Sequence, residues 1–247
     1  MKIAEGLEML QLTFEIGPRK LVINPMVVYD DQTCTLIDTA MPGCYDTIQS
    51  LIAEAGLPAD GPHAVILTHQ DIDHVGSLPH FLAEAKQPLD VYAHADDKPY
   101  IDGVLPLIKM QPQMRDGILQ SLPEKERNEF VQAFSPETGA NVNHVAADGD
   151  VLPFGGGLQV IHTPGHTPGH ICLYHLVSKT LIAGDALVVE NGELQGPNPH
   201  ATPDMEEALR SLKRLMALPI ETVVCYHGGI YKGDVKKRLE EIAAAVK

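Results

Sequence analysis

Thr68-His69-Gln70-Asp71-Ile72-Asp73-His74 places four metal-competent side chains, His69, Asp71, Asp73 and His74, within six residues. The stretch follows directly on Ala64-Val65-Ile66-Leu67, an apolar run that reads as a buried strand. Folding alone gives such a strand no reason to stop in a burst of His and Asp. Imidazoles and carboxylates this close together suit borderline and hard divalent cations.

Three further apolar runs end the same way. Gln159-Val160-Ile161 leads into His162-Thr163-Pro164-Gly165-His166-Thr167-Pro168-Gly169-His170, Thr180-Leu181-Ile182-Ala183 into Gly184-Asp185, and Thr222-Val223-Val224-Cys225-Tyr226 into His227-Gly228-Gly229. Glycine lets the backbone turn sharply and approach another group closely. In α/β sheets, ligands collect beyond the carboxyl ends of the strands. Four such ends meeting at one place would gather three or four His and three Asp, the donor set of a binuclear metal site. Two cations about 3.5–4 Å apart can hold a bridging hydroxide at neutral pH and polarise a carbonyl or phosphoryl oxygen. No Gly-x-Ser-x-Gly is present, so a serine hydrolase has no support.

The elements that must position these residues can be read around them. Leu10 to Phe14, Lys20 to Tyr29 and Cys34 to Asp38 read as short strands, split by Gly17-Pro18 and Asp30-Asp31-Gln32. A helix is expected from Asp46, as N-cap, to Ala55, with Gly56 ending it. Val75 to Ala85 reads as a second helix and Leu89 to Ala93 as a strand. From 96 to 141, apolar residues at helical spacings are interrupted by Pro106, Pro112 and Pro123. This predicts short helices inserted between two β regions, either packed on the sheet or forming a pocket wall with Met110 and Met114. Val142 to His175 returns to β, followed by strands at Leu181 to Ala183 and Ala186 to Val189. Thr202 is the expected N-cap of a helix running to Met216. Thr222 to Tyr226 is a strand, and Asp234 to Val246 closes the chain as a helix. The repeated order of β region, helix, strand and helix suggests two related halves within one domain spanning 1–247.

Composition bounds the function. A chain of 247 residues with 44% hydrophobic content supplies a full core. The net charge of −15 argues against nucleic acid and anionic membrane surfaces as partners. Cys34, Cys44, Cys172 and Cys225 form no C-x-x-C pair, and a disulfide framework is not expected. Cys172 and Cys225 read as core residues, although Cys225, two residues before His227, falls on the same strand face and is also a candidate for supporting that ligand. The first residues lack the apolar region of a signal peptide, and no apolar run approaches about 18 residues. A cytoplasmic protein is the expectation.

The motif His69-x-Asp71-x-Asp73-His74, with His166 inside Thr-Pro-Gly-His-Thr-Pro-Gly, Asp185 inside Gly-Asp, and His227, resembles the pattern of the metallo-β-lactamase fold superfamily. The wording around His166 looks most like its hydroxyacylglutathione hydrolase and lactonase branch. The resemblance implies an α/β fold, an αββα four-layer sandwich, with two metals at one edge between the sheets. It places His69, Asp71 and His166 on one metal and Asp73, His74 and His227 on the other, with Asp185 bridging. It gives Asp73 the catalytic role of ligand and steering group for a water proton. His170 corresponds to a group often found behind the ligands. His200, in the Asn-Pro-His loop, and Tyr226 are candidates for substrate contact or for supporting the ligands.

One position departs from the family pattern: the second His is Asp71 here. Flavodiiron members carry Glu there and bind two irons. Two outcomes stay open. Asp71 reaches the metal, or it is too short and the first site is weak or empty. A carboxylate adds a negative charge and a hard oxygen, favouring iron or manganese while still permitting zinc. The Tyr that family lactonases carry three residues beyond the bridging Asp is replaced by Val188.

The function expected from these residues is a hydrolase with two divalent ions, zinc first. It would act on a small ester, thioester or lactone, with side activity toward phosphotriesters or β-lactams. The alternative is a diiron or mononuclear iron redox protein handling oxygen, nitric oxide or sulfur species. A small-molecule substrate is the expected partner, and a homodimer is compatible with the sequence.

Overall fold

A computed structural model describes residues 1–16, 19–31, 33–57, 61–137 and 139–244. The expected turns at Gly17-Pro18 and Gln32, and the last residues of the final helix, lie outside the described residues.

The first sheet is built from β1 (Lys2–Ala4), β2 (Leu7–Met9), β5 (Met26–Tyr29), β6 (Cys34–Ile37), β7 (Ala64–Ile66), β8 (Asp90–Ala93) and β9 (His144–Val145), in that spatial order. The second has the order β10 (Val151–Leu152), β11 (Leu158–His162), β12 (Ile171–His175), β13 (Thr180–Ile182), β16 (Thr222–Cys225) and β17 (Gly229–Tyr231). Two hairpins stand apart from them: β3 (Leu12–Ile16) with β4 (Arg19–Ile23), and β14 (Val188–Glu190) with β15 (Glu193–Gln195). Each sheet joins antiparallel strands to parallel ones: β6 to β7 to β8 in the first, β13 to β16 in the second.

Strand alternation explains why the sheets stack. Along β7, Ala64 and Ile66 point into the space between the sheets, whereas Val65 points to the other face. Along β12, Ile171 and Leu173 share that central layer, and Cys172 and Tyr174 face outward. The outward face of the first sheet is covered by Ile48 and Ile52 of α1 (Tyr45–Glu54) and by Leu78 and Phe81 of α3 (Leu78–Glu84). The outward face of the second is covered by Leu212 and Leu215 of α7 (Met205–Leu215) and by Leu239 and Ile242 of α8 (Val235–Ala244). The layers run helix, sheet, sheet, helix, as expected. Cys225 lies in the outer core layer under α7 and α8, which accords with its reading as a core residue.

Several local expectations are corrected. Cys44, not Asp46, is the N-cap of α1. The β run from Lys20 to Tyr29 breaks at Asn24-Pro25, where proline has no N–H for a ladder and Asn24 bonds the Tyr226 carbonyl instead. The helix expected from Val75 to Ala85 is two: α2 (Ile72–Val75) and α3. Pro79, in the first turn of α3, has no N–H to bond backward, so the helix must restart. The second half of the His/Asp motif is therefore helical rather than loop. The N-cap of α7 is Asp204, whose carboxylate accepts from the Glu207 N–H at 2.9 Å, rather than Thr202.

The segment between β8 and β9 carries α4 (Lys98–Ile101), α5 (Pro112–Ser121) and α6 (Glu124–Ala133). Because β8 and β9 are parallel neighbours, this helical stretch is their crossover connection. Among the described residues, no helix is long and apolar enough to cross a membrane.

Candidate metal centre

All seven expected donors meet at one edge of the sandwich. They form two groups: His69, Asp71, His166 and Asp185, and Asp73, His74 and His227. Most arrive just beyond a strand end. His69 and Asp71 follow β7, Asp73 and His74 ride on α2, and His166, Asp185 and His227 follow β11, β13 and β16. Asp185 spans the two groups. Its Oδ2 lies 3.4 Å from His166 Nε2 and 3.5 Å from His227 Nε2, and its Oδ1 lies 3.3 Å from His74 Nε2. Asp73 Oδ2 is 3.2 Å from His227 Nε2. Asp71 Oδ2 is 3.0 Å from His166 Nε2 and 3.3 Å from His69 Nε2, so its shorter side chain reaches the donor group.

The donor set fits divalent cations. His69 Nε2, His74 Nε2, Asp71 Oδ1 and Asp185 Oδ1 are all buried and form no hydrogen bond. Buried polar atoms left unpartnered are costly, and four of them gathered within the two donor groups call for ligands. Three carboxylates and four imidazoles are the chemistry of such a ligand.

The electrostatics show how tightly the groups are coupled. Burial would push Asp185 and Asp71 up, but His74 and His227 beside the one, and His69 and His166 beside the other, hold both well below the usual carboxylate range. Burial likewise opposes the charging of His74, yet Asp38 and Asp185 raise it well above the ordinary imidazole value.

A supporting shell fixes the rings. Asp38 Oδ2 accepts from His74 Nδ1 at 2.8 Å, which turns Nε2 toward Asp185. Thr68 is tied to the same carboxylate, with its N–H at 2.8 Å from Oδ1 and its hydroxyl at 2.7 Å from Oδ2. Thr202 Oγ1 lies 3.1 Å from His166 Nδ1. His170 is fully buried, and burial pushes it well below the ordinary value. As a neutral ring its Nε2 accepts from the Asp185 N–H at 3.0 Å, while Nδ1 meets Thr163 Oγ1 at 2.8 Å. Gly184 adopts φ +51° here, and a Cβ would come 2.7 Å from His170 Nε2.

Tyr226 is buried. Its hydroxyl donates to the Asp73 carbonyl at 2.5 Å and its ring lies against His74, with centroids 3.8 Å apart. This geometry places it behind the ligands, not in contact with a substrate. His200 is exposed on the wall of a cleft of about 760 Å³ whose floor holds Asp71, Asp73, Asp185 and His227. Leu21 of the β3–β4 hairpin forms another part of the wall, and an isolated bridge from Ile23 to His227 ties that hairpin to the site.

Asp38, Asp97 and Lys109 were not anticipated as site residues. Asp38 and Asp97 follow strands as the ligands do, so the same signal pointed to them. Asp97 accepts from Gln70 N–H at 3.0 Å, Thr167 Oγ1 at 2.7 Å and Gly169 N–H at 2.8 Å, joining the His69 loop to the His166 loop. Gly169 permits this contact, since a Cβ there would lie 2.5 Å from Asp97 N. Lys109, from the crossover segment, carries no such signal; its Nζ lies 2.5 Å from Asp71 Oδ2. Met110 lines a separate cavity of about 400 Å³ inside the crossover, and Met114 is exposed. A third donor group, His94, Asp96 and His162, lies apart from the cleft lining. Its two rings stack with centroids 3.9 Å apart and an interplanar angle of 11°, and His162 Nε2 is paired with the Pro168 carbonyl at 2.8 Å.

Residues 18–227 match the family model described as the metallo-beta-lactamase superfamily. The chain is 31% identical over 204 residues to the probable metallo-hydrolase YflN of Bacillus subtilis, covering 78% of this chain and 74% of that protein. It is 28% identical over 197 residues to a hydroxyacylglutathione hydrolase of an Enterobacter species, with 79% of this chain matching 57% of that enzyme. Among solved structures, the metallo-beta-lactamase family protein TTHA1429 of Thermus thermophilus superposes with a TM-score of 0.70 at 26% identity, over 99% of this chain and 80% of its own. TTHA1623, solved in a di-iron-bound form, superposes with a TM-score of 0.60 at 26% identity, over 93% and 98%.

Proposed function

The chain belongs to the metallo-beta-lactamase superfamily, and from that premise we propose that it is a metal-dependent hydrolase of a small ester, thioester or lactone. The observation that carries this reading is Asp185, whose two oxygens face both donor groups beneath an open cleft. Divalent cations bound there would activate water at neutral pH and polarise the substrate's carbonyl oxygen. The names of the related proteins, metallo-hydrolase and hydroxyacylglutathione hydrolase, support acyl-transfer chemistry and make a thioester the first substrate class to test.

The chain's own residues divide the work. Asp73 combines metal binding with an oxygen that accepts a proton, and Tyr226 fixes its backbone by gripping the carbonyl. Asp38 and Thr202 hold His74 and His166 in the tautomers that present Nε2. His170 sets the peptide that carries Asp185. The hydrophobic wall from Leu21 and Val188 suits an acyl chain, and His200 at the rim could bond a leaving group. A cleft of about 760 Å³ lies in the ordinary range for small-molecule sites.

The test is metal analysis of purified protein coupled to an assay panel of esters, thioesters and lactones. Turnover by the reconstituted protein, lost on chelation and in Asp73→Ala, supports the reading. Asp71 favours a second one, because its hard oxygen suits iron and the chain resembles a protein solved with two irons. Two irons, a visible spectrum that bleaches on reduction and no hydrolysis of any panel member would reverse the ranking.

A further inference from the structure

The crossover segment sends one side chain into the first donor group. Lys109 Nζ lies 2.5 Å from Asp71 Oδ2 and 2.7 Å from His166 Nε2. Both side chains belong to the four-residue group that would bind a cation there. A metal held by them would sit about 2 Å from each. An amine in hydrogen-bond contact with His166 Nε2 uses the ring lone pair that a cation would need, and its contact with Asp71 Oδ2 fills the space beside that ring. Metal and amine therefore exclude one another at this position.

The placement is anchored. Ile108 N–H, one residue before the lysine, donates to Gln70 Oε1 at 2.8 Å. Gln70 is fully buried between His69 and Asp71 in sequence, and its N–H and its Nε2 both bond Asp97. The loop that carries Lys109 is thus clipped to the loop that carries the ligands. Charge agrees with geometry: Asp71 and Lys109 form an ion pair whose sum is neutral, as an imidazole at the same position would be. The lysine side chain is about a quarter exposed (25%), so it has a path out to solvent.

We propose that Lys109 is an internal competitor for the first metal position. With its amine in place the chain holds one cation firmly, at Asp73, His74 and His227, and a second enters only by displacing the lysine. This inference rests on reading the donor groups as a metal centre. It makes the crossover segment a regulator of metal occupancy.

The experiment titrates metal-free protein with zinc chloride alone, by calorimetry, and counts zinc per chain after dialysis. Wild type should take up one zinc tightly and a second with clearly lower affinity. Lys109→Met should tighten the second binding event roughly tenfold or more, the size expected for removing a charge-assisted hydrogen-bond competitor. Lys109→Gln, which also removes the charge, should do the same and guards against a folding defect in one variant. Lys125→Met removes a charge from the same segment at an exposed pair with Glu84 and should leave both affinities unchanged. Equal affinities for both zincs in wild type, an unmoved second affinity in Lys109→Met, or the same gain in Lys125→Met would each overturn the competition while leaving the metal centre intact. A wild-type protein that binds no zinc, iron or manganese would overturn the metal centre as well.

Discussion

Asp38 Oδ2 and His74 Nδ1 are 2.8 Å apart in an interior that excludes solvent from both side chains. The pair joins the end of β6 to the helical half of the ligand motif. Asp38 adopts φ +62°, a backbone conformation that L-residues other than Asn and Asp visit rarely, and it points both oxygens at the 68–74 loop. Asp38→Asn keeps the shape but weakens the grip on the imidazole N–H. Zinc affinity at the His74 group should fall by about 10- to 100-fold, the usual cost of losing a partner behind a metal ligand. Equilibrium dialysis measures it. Unchanged affinity would show that His74 is oriented by packing against Tyr226 instead.

Asp97 predicts a stability effect distinct from the metal. Its carboxylate accepts four hydrogen bonds, from Gln70 N and Nε2, Thr167 Oγ1 and Gly169 N. Asp97→Ala strands buried donors on two ligand loops at once, at a cost of about 3–4 kcal/mol. For a chain of this size that lowers the melting temperature by roughly 10 °C. Asp97→Asn, retaining one acceptor, should fall between. Calorimetry of both variants without metal checks the order; an Ala variant as stable as wild type would remove Asp97 from this role.

The four-layer fold and the meeting of the seven His and Asp side chains were legible in the sequence because each rests on a local pattern. Ala64–Leu67 alternates between two cores, and the strand then ends where its polar residues begin. Asp38 ends its strand in the same manner, and reading it as a strand terminus alone missed its contact with a residue 36 positions away. Lys109 could not have been found. It stands among Ile108, Met110 and the prolines of a segment whose helical spacing says nothing about where its loops point. Helix limits failed where a tertiary bond overrode a local preference, as at Thr202, which faces His166 instead of capping α7.

Removal of metal should reveal an opposite pH response in the two states. Burial alone would push His227 down, but Asp185 and Asp73 outweigh it and hold its imidazole at about 10 in the metal-free protein. The folded value lies above the unfolded one, about 6.5. Its contribution to stability is therefore complete below about pH 6.5 and is lost as pH rises toward 10. Asp71, Asp73 and Asp185 are lowered, so their contribution is present above the ordinary carboxylate value and is lost as pH falls through their folded values. Metal binding requires neutral imidazoles and releases their protons, so affinity rises with pH. Metal-free protein should melt at progressively lower temperature from pH 6.5 to 9, and the gain in melting temperature on adding zinc should widen over the same range. A gain that shrinks with pH would contradict the ligand assignment of His74 and His227.

Thr202 and Asp204 separate ligand positioning from helix capping within three residues. Thr202 Oγ1 meets His166 Nδ1 at 3.1 Å, whereas the Asp204 carboxylate accepts from Glu207 N–H at 2.9 Å and starts α7. Thr202→Val is nearly isosteric and removes only the oxygen. It frees the His166 ring to take either tautomer, and affinity for the cation at the His69 group should weaken by about tenfold. The melting temperature of the metal-free protein should change little. Asp204→Ala removes the cap and should cost about 1 kcal/mol of stability with zinc affinity unmoved. The two variants exchange their effects if the hydroxyl, not the carboxylate, were the true start of the helix. Measuring zinc titration and thermal unfolding on both therefore decides which residue serves the metal and which serves the fold.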